Sequence, residues 1–343
     1  MKTPFLIIGQ GLAGSLLAWN LLKKRQSVLI IDNHHRQSAS SVAAGLINPI
    51  IGRRFSILKN YGLLYKEALQ TYQAISTSIN KKIIFHYNIQ RFLKTDTEKT
   101  YWKKNKDKVE YKKLVDPDFI HDEIDSFLIK KSGYCQTKEL IEGLARYFTK
   151  KKILIREPFL YSKLKIEQDC IYYKNITARK IIFCEGFRVK NNPWFSYLPF
   201  QPAKGEILTV TSSCHSLPKT ILHRGTWLIP LGNSLYRTGS TYSWNPLNCR
   251  PTSKGRQQIL KNLNHFIRIP FKVIDHQAGV RPATVDQNPI IGLHPHYPAL
   301  GIFNGFGSRG VISAPFYAKQ LTNHILKKSS LNRDVDIHRF IKT

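Results

Sequence analysis

Three glycines near the amino terminus, in Gly9-Gln10-Gly11-Leu12-Ala13-Gly14, constrain this 343-residue chain more than any other feature. They follow the apolar run Phe5-Leu6-Ile7-Ile8, which reads as a short buried strand. They precede residues 12–24, which carry Leu16, Leu17, Trp19 and Leu21 and read as a helix with basic residues at its end. Residues 28–31 read as a second buried strand. Strand, glycine turn, helix and strand form a βαβ unit, the context in which this spacing has chemical meaning. Gly9 allows the tight turn, Gly11 lets a pyrophosphate approach the backbone, and Gly14 lets helix and strand pack closely. The helix N-terminus, with Leu12 and Ala13 in its first turn, offers N–H groups and partial positive charge to phosphates. Asp32 closes the second strand, 21 residues beyond Gly11, where an acid accepts hydrogen bonds from ribose hydroxyls. The unit predicts a dinucleotide site without separating NAD from FAD.

Two further segments make that separation. Ala39-Ser40-Ser41-Val42-Ala43-Ala44-Gly45-Leu46-Ile47-Asn48-Pro49 is small and polar, then small and apolar, as a segment running beneath a flat ring system would be. Asn304-Gly305-Phe306-Gly307-Ser308-Arg309-Gly310 is a second glycine-rich loop opening a helix, whose dipole would stabilise negative charge on a reduced flavin.

The rest of the chain alternates in texture. Residues 56–78, 137–150, 252–266 and 309–328 read as helices, residues 81–93 as strand pairs, and residues 153–155 and 181–184 as short strands. Between residues 205 and 242, short strands separated by Gly, Pro and Asn suggest an antiparallel sheet, and residues 269–280 add a strand. The expected fold is α/β: a Rossmann-like FAD-binding domain interleaved with an antiparallel-sheet substrate domain. Residues 1–80, 136–205 and 276–328 would form the first; residues 81–135 and 206–275 the second; residues 329–343 a loose basic tail. No internal repeat is evident.

At this point the residues resemble the FAD-dependent oxidoreductases of the D-amino acid oxidase class. That class includes glycine oxidase, sarcosine oxidase, D-amino acid dehydrogenase and the flavin domain of the bacterial tRNA wobble-uridine modification enzyme. The resemblance spans nearly the whole chain, through the glycine motif, Ala44-Gly45-Leu46, Ala178 to Gly186, Pro202-Ala203-Lys204-Gly205-Glu206, Gly279-Val280-Arg281-Pro282, Asp286 to Gly292 and Asn304 to Pro315. It implies that Gly9, Gly11, Gly14 and Asp32 hold the adenosine diphosphate half of FAD. Ser40, Ser41, Ala44, Gly45 and Leu46 would lie along the pyrophosphate, ribityl chain and ring. Glu185 and Gly186 would pass near the adenine half, where Cys184-Glu185 replaces the usual Ala-Thr or Ala-Ala. Gly305, Gly307, Ser308, Arg309, Gly310 and Val311 would face the flavin.

The matching arginine of the amino-acid oxidases pairs with the substrate carboxylate, which assigns that role to Arg281 and its planar fork. The plainer reading is that Arg281 only ties down the loop of Asp286. Arg53, Arg54, His223, Tyr242 and Trp244 are softer candidates for the pocket, and Lys204 reads as structural. The implied reaction oxidises the C–N bond of an amino acid or secondary amine. The neutral amine gives a hydride to flavin N5, and the imine is then hydrolysed. No metal-ligand spacing and no serine triad appear.

Charge adds two alternatives. Lys plus Arg number 53 and Asp plus Glu 22, a formal charge of +31, while 42% hydrophobic residues exclude a disordered basic arm. The excess is either compositional drift or a means of binding an anionic partner. One such partner is tRNA, with the flavin oxidising a carboxymethylaminomethyl group on the wobble uridine; Gly307-Ser308-Arg309-Gly310 and Ser313-Ala314-Pro315 favour it. The other is an anionic membrane surface. The densest basic stretch, residues 99–113, interleaves Tyr101 and Trp102 and reads either as a phosphate contact or as a solvated helix face. Five scattered cysteines, Cys135, Cys170, Cys184, Cys214 and Cys249, argue against a disulfide framework and for a cytoplasmic setting. No apolar run reaches the roughly 18 residues of a membrane span.

Overall fold

The first strand, Lys2–Ile8, shows why the opening apolar run has no polar alternation. Phe5 and Ile7 pack against one side with Leu16 and Leu17, while Leu6 and Ile8 pack against the other with Tyr173 and Phe183. A strand buried on both faces reads as continuous hydrophobic sequence. The computed structural model describes residues 1–33, 38–121, 125–167, 170–213, 219–267 and 269–341.

Five parallel strands form the centre of an eight-stranded sheet, in the spatial order Leu154–Ile155, Val28–Ile31, Lys2–Ile8, Ile176–Phe183, Leu300–Asn304. Counted along the chain, that order is third, second, first, fourth, fifth. It places a switch in winding direction between Lys2–Ile8 and Ile176–Phe183, where ligands bind beyond the carboxyl ends of the strands. The hairpin Leu164–Ile166 and Ile171–Tyr173 extends the amino half of Ile176–Phe183, and Ile290–Leu293 flanks Leu300–Asn304.

A second eight-stranded sheet runs Lys272–Arg281, Ala203–Thr211, Leu235–Gly239, Trp227–Gly232, Ile221–His223, Ile89–Phe92, Ser126–Ile129, Val115–His121. All its pairs are antiparallel except Ile221–His223 with Ile89–Phe92. The strands Ala203–Thr211 and Lys272–Arg281 carry the chain through residues 205/206 and 275/276 without a break. A small sheet of Leu46–Ile47, Gly133–Cys135 and Ile84–His86 bridges the two.

Several expectations need correction. The helix expected at residues 56–78 is Tyr61–Ser78; Ser56 and Ile57 pair with Ile51 and Ile50 instead, and Asn60 takes a left-handed backbone before the first turn. Within residues 81–93, Ile84–His86 and Ile89–Phe92 do not pair with each other but enter different sheets. In the basic stretch, Trp102 is buried and stacks on Phe127, so it belongs to the core while Lys103 and Lys104 face solvent. The tail is not loose. Leu331, Val335 and Ile337 are buried, and Arg339 reaches back to Asp286 at 2.9 Å. Among the described residues no helix is long and apolar enough to cross a membrane. Cys135, Cys170, Cys184 and Cys249 are free thiols; Cys214 lies outside the described residues.

The last helix, Gly310–Ile325, contains Pro315. Proline has no N–H to donate to the carbonyl four residues earlier, which is that of Val311. The hydroxyl of the fully buried Tyr72, from helix Tyr61–Ser78, donates to that carbonyl at 2.6 Å. Tyr72→Phe should therefore orphan a buried carbonyl and lower stability by about 1–3 kcal/mol. Adding Pro315→Ala, which restores the helix N–H, should recover most of the loss in thermal melts. Equal melting of Tyr72→Phe and the wild type would show that the carbonyl is satisfied some other way.

Candidate functional site

A cavity of about 1150 Å³ opens at the carboxyl ends of the parallel strands and continues to the inner face of the second sheet. Its nucleotide end is made by the glycine turn. Gly9 has φ +100°, its N–H donates to Ile31 O at 2.8 Å, and an added Cβ would lie 2.6 Å from Cys184 O. Gly11 caps helix Leu12–Lys23, whose first turn has no acidic residue to neutralise its partial positive charge. The N–H of Leu12 donates to Ser40 Oγ at 3.1 Å, which marks an acceptor position at the helix N-terminus. Ser41 instead stabilises the turn that holds Ser40, with its hydroxyl 2.9 Å from Ser38 O.

Both oxygens of Asp32 have partners. Gln10 N–H donates to one and Arg156 to the other, each at 2.9 Å. Glu185 lines the same end and accepts from Tyr161 at 2.5 Å and Asn192 at 2.8 Å. Burial pushes its carboxyl above the usual range, against the pull of those two donors and of Arg188.

The middle of the cavity is walled by residues 39–46. Ala43 O accepts from Thr137 at 3.1 Å and from Arg237 at 3.3 Å. Gly45 has φ +71°, accepts from Cys135 N at 2.9 Å, and has Cys135 O only 1.8 Å from where a Cβ would stand. Opposite, Asn304 bridges the loop of residues 304–310 to the strand end, donating to Gly186 O at 2.8 Å and accepting from Gly305 N at 2.9 Å. Arg309 is anchored on Gln287 O and precedes helix Gly310–Ile325. Two helix N-termini, at Leu12 and Gly310, thus meet at one cavity, as a ligand rich in anionic oxygens requires.

The far end belongs to the second sheet. Strand register places Ile207, Gly239, Trp227, His223 and Arg91 in one row, so their side chains share a face. Arg91 is buried, contacts His223 and lies 3.4 Å from Glu98. Arg281 ends strand Lys272–Arg281 and lies across Gly205, where a Cβ would sit 2.1–2.3 Å from guanidinium atoms. It donates to Ser240 Oγ at 2.7 Å and Thr241 O at 3.4 Å, under the ring of Tyr242 at 5.6 Å. Burial lowers its pKa, opposed by Tyr242, but an arginine stays charged. The Asp286 loop is tied by Arg339 and not by Arg281, which removes the plainer reading of that residue.

The cavity gathers most of the expected site residues: Gly9, Gly11, Leu12, Ala13, Asp32, Ser40, Ser41, Ala44, Gly45, Leu46, Glu185, Gly186, Arg281, Gly307, Ser308, Arg309, Gly310 and Val311. Gly14 and Gly305 lie behind the wall. An added Cβ on Gly14 would be 1.9 Å from Gly9 O, and one on Gly305 2.8 Å from Thr284, so both glycines serve packing. Of the softer candidates His223 lines the cavity, whereas Arg53, Arg54, Tyr242 and Trp244 do not. Lys204 is buried on Arg250 O and Asn248, as a structural residue would be. Arg91, Arg156 and Trp227 were not singled out from sequence.

A family model described as FAD dependent oxidoreductase, DAO, matches residues 5–324. Glycine oxidase of Bacillus licheniformis is 28% identical over 129 residues, covering 37% of this chain and 35% of its own. The tRNA 5-methylaminomethyl-2-thiouridine biosynthesis bifunctional protein MnmC of Legionella pneumophila (strain Corby) is 23% identical over 95% of this chain and 54% of its own length. This chain therefore spans about a third to a half of these relatives. The crystal structure of glycine oxidase from Bacillus cereus ATCC 14579 superposes with a TM-score of 0.81 at 19% identity, over 96% of both chains.

Proposed function

The chain belongs to the DAO family of FAD dependent oxidoreductases, and from that premise we propose that it oxidises the C–N bond of an amine that carries a carboxylate. The observation that carries this reading is Arg281. Its guanidinium is part of the cavity wall and is held by a hydroxyl and a carbonyl, and no ion pair to a carboxylate is found for it among the described residues. A partly buried cation without a counter-ion is poorly solvated, so a carboxylate ligand there gains charge-assisted, bidentate hydrogen bonds.

The residues fit FAD. The helix starting at Leu12 would face the pyrophosphate, and Asp32, with Arg156 fixing one of its oxygens, would face the ribose. Residues 44–46 and 307–311 would enclose the ring. FAD supplies the two-electron acceptor. The protein captures the carboxylate at Arg281, which orients the neighbouring carbon, and places the N-terminus of helix Gly310–Ile325 where negative charge develops.

The test is the visible spectrum of the anaerobic holoprotein during addition of glycine, sarcosine, proline and D-amino acids. Bleaching by one of these, and not by the same amine lacking its carboxylate, is expected. Equal bleaching by the amine without a carboxylate would overturn the reading.

A second reading assigns the carboxymethylamino group to a tRNA uridine. The relative matched along nearly the whole chain is a tRNA-modifying protein, and the +31 charge suits phosphate contacts. Under it none of the free acids bleaches the flavin, and an RNA bearing that group does.

A further inference from the structure

We propose that residues 240–256, at the rim of the cavity, bind single-stranded RNA, with Tyr242 and Trp244 as a stacking platform for bases. The proposal rests on the second reading above. Ser240 and Cys249 line the cavity, and Ser240, Thr241 and Tyr242 all contact Arg281. This segment thus runs from the cavity wall at Ser240 to exposed surface at Tyr242 and Trp244, beside that guanidinium.

The two aromatics are presented together. Ser243 is pinned to the sheet, donating its N–H to Lys204 O at 3.0 Å and accepting from Lys204 N at 2.7 Å. Residues on either side of a strand-paired position project to the same face. The rings of Tyr242 and Trp244 lie 5.2 Å apart at 76°, and the residues are 53% and 58% exposed. So much aromatic surface in water is unfavourable, and a flat base covers it whatever its identity.

The surrounding charge selects the partner. Between Glu206 and Asp275 the sequence contains nine lysines and arginines and no acidic residue. Of these, Arg250, Lys254 and Arg256 are exposed and follow the aromatic pair in the chain. Glu206, whose carboxylate accepts from Thr252 in this segment, is buried, so the exposed side chains here that carry charge are cations, which suit a phosphate backbone. A base stacked on the outer face of Tyr242 would lie one ring away from Arg281, whose guanidinium is 5.6 Å from the ring centre, so a side group has to pass the ring edge to reach it.

The experiment measures binding of a fluorescent RNA hairpin with a single-stranded loop to the holoprotein by anisotropy, for the wild type, Trp244→Ala and Trp244→Phe. Flavin absorbance checks that each variant is folded. Trp244→Ala should weaken binding by about 5- to 150-fold, the effect of one lost base stack, and Trp244→Phe by much less. Equal affinity of Trp244→Ala and wild type would overturn the platform while leaving the RNA reading standing. No hairpin binding by the wild type at low salt would overturn both. A change of oligomeric state in Trp244→Ala without a change in RNA affinity would make the aromatic pair a contact between copies and overturn the proposal.

Discussion

Gly14→Ala yields a protein that binds FAD more weakly, by up to about 100-fold. The added methyl would lie 1.9 Å from Gly9 O and 3.0 Å from Gly9 C, which are backbone atoms. Gly9 cannot retreat, because its N–H is bonded to Ile31 O and the backbone of Cys184 stands behind it. Helix Leu12–Lys23 has to move instead, and its N-terminus leaves the position the phosphates need. Overpacking of this kind costs about 1–3 kcal/mol. At the upper end the FAD affinity falls by about 100-fold. Gly62→Ala is the control. Gly62 lies in helix Tyr61–Ser78 with nothing near its Cβ position, so alanine should leave FAD bound and stabilise the helix by about 0.5–1 kcal/mol. The ratio of flavin to protein absorbance reads both variants. A yellow Gly14→Ala protein with wild-type melting would show that the helix tolerates the shift.

Arg281→Ala keeps FAD and loses the substrate. Truncating one partner of a buried, charged hydrogen-bonded pair costs about 2–5 kcal/mol, a fall of about 30- to several-thousand-fold in the efficiency of flavin reduction. Arg281→Lys should recover only part, since an ammonium cannot form the bidentate fork. Gly205→Ala separates position from charge. Its methyl would occupy the space of the guanidinium, the far end of a flexible side chain, so the fold adjusts cheaply while the arginine is pushed off the cavity wall. Stopped-flow reduction should show Gly205→Ala weakened in the same direction as Arg281→Ala, with an unaltered flavin spectrum. Unchanged reduction kinetics in both variants would remove Arg281 from substrate capture.

What the sequence shows of this fold is what short-range physics determines. The glycine turn, the strands beside it and Asp32 are close in the chain, and each residue type answers a local need for space, conformation or charge. The strand order around them is not local. Ile176–Phe183 inserts beside Lys2–Ile8 across more than half the chain, and no composition signal announces it. The early start assigned to helix Tyr61–Ser78 fails for the same reason: the pairing of Ser56 and Ile57 with Ile50 and Ile51 outcompetes a periodic pattern. The tail reads as loose because polar and charged residues such as Arg333, Asp334, Asp336 and Arg339 are spread along it, whereas three apolar residues, Leu331, Val335 and Ile337, decide its placement. In the cavity, Arg91 meets His223 only because two strands far apart in sequence are neighbours. Arg156 had a readable signal: it directly follows Leu154–Ile155, at the carboxyl end of a parallel strand, where ligand-facing residues gather.

The cavity's two helix N-termini come from opposite ends of the chain, at Leu12 and Gly310, and Tyr72 and Pro315 tie the second to the amino-terminal third. This sets a timetable for synthesis. A nascent chain that has emerged through residue 300 has its glycine turn, its Asp32 and its Arg281, yet one wall of the cavity is still inside the ribosome. Tyr72 then waits with its hydroxyl unused, and FAD meets a half-open cleft. The cofactor therefore loads only after helix Gly310–Ile325 has emerged and docked on Tyr72, and a product truncated ahead of that helix is expected to be colourless.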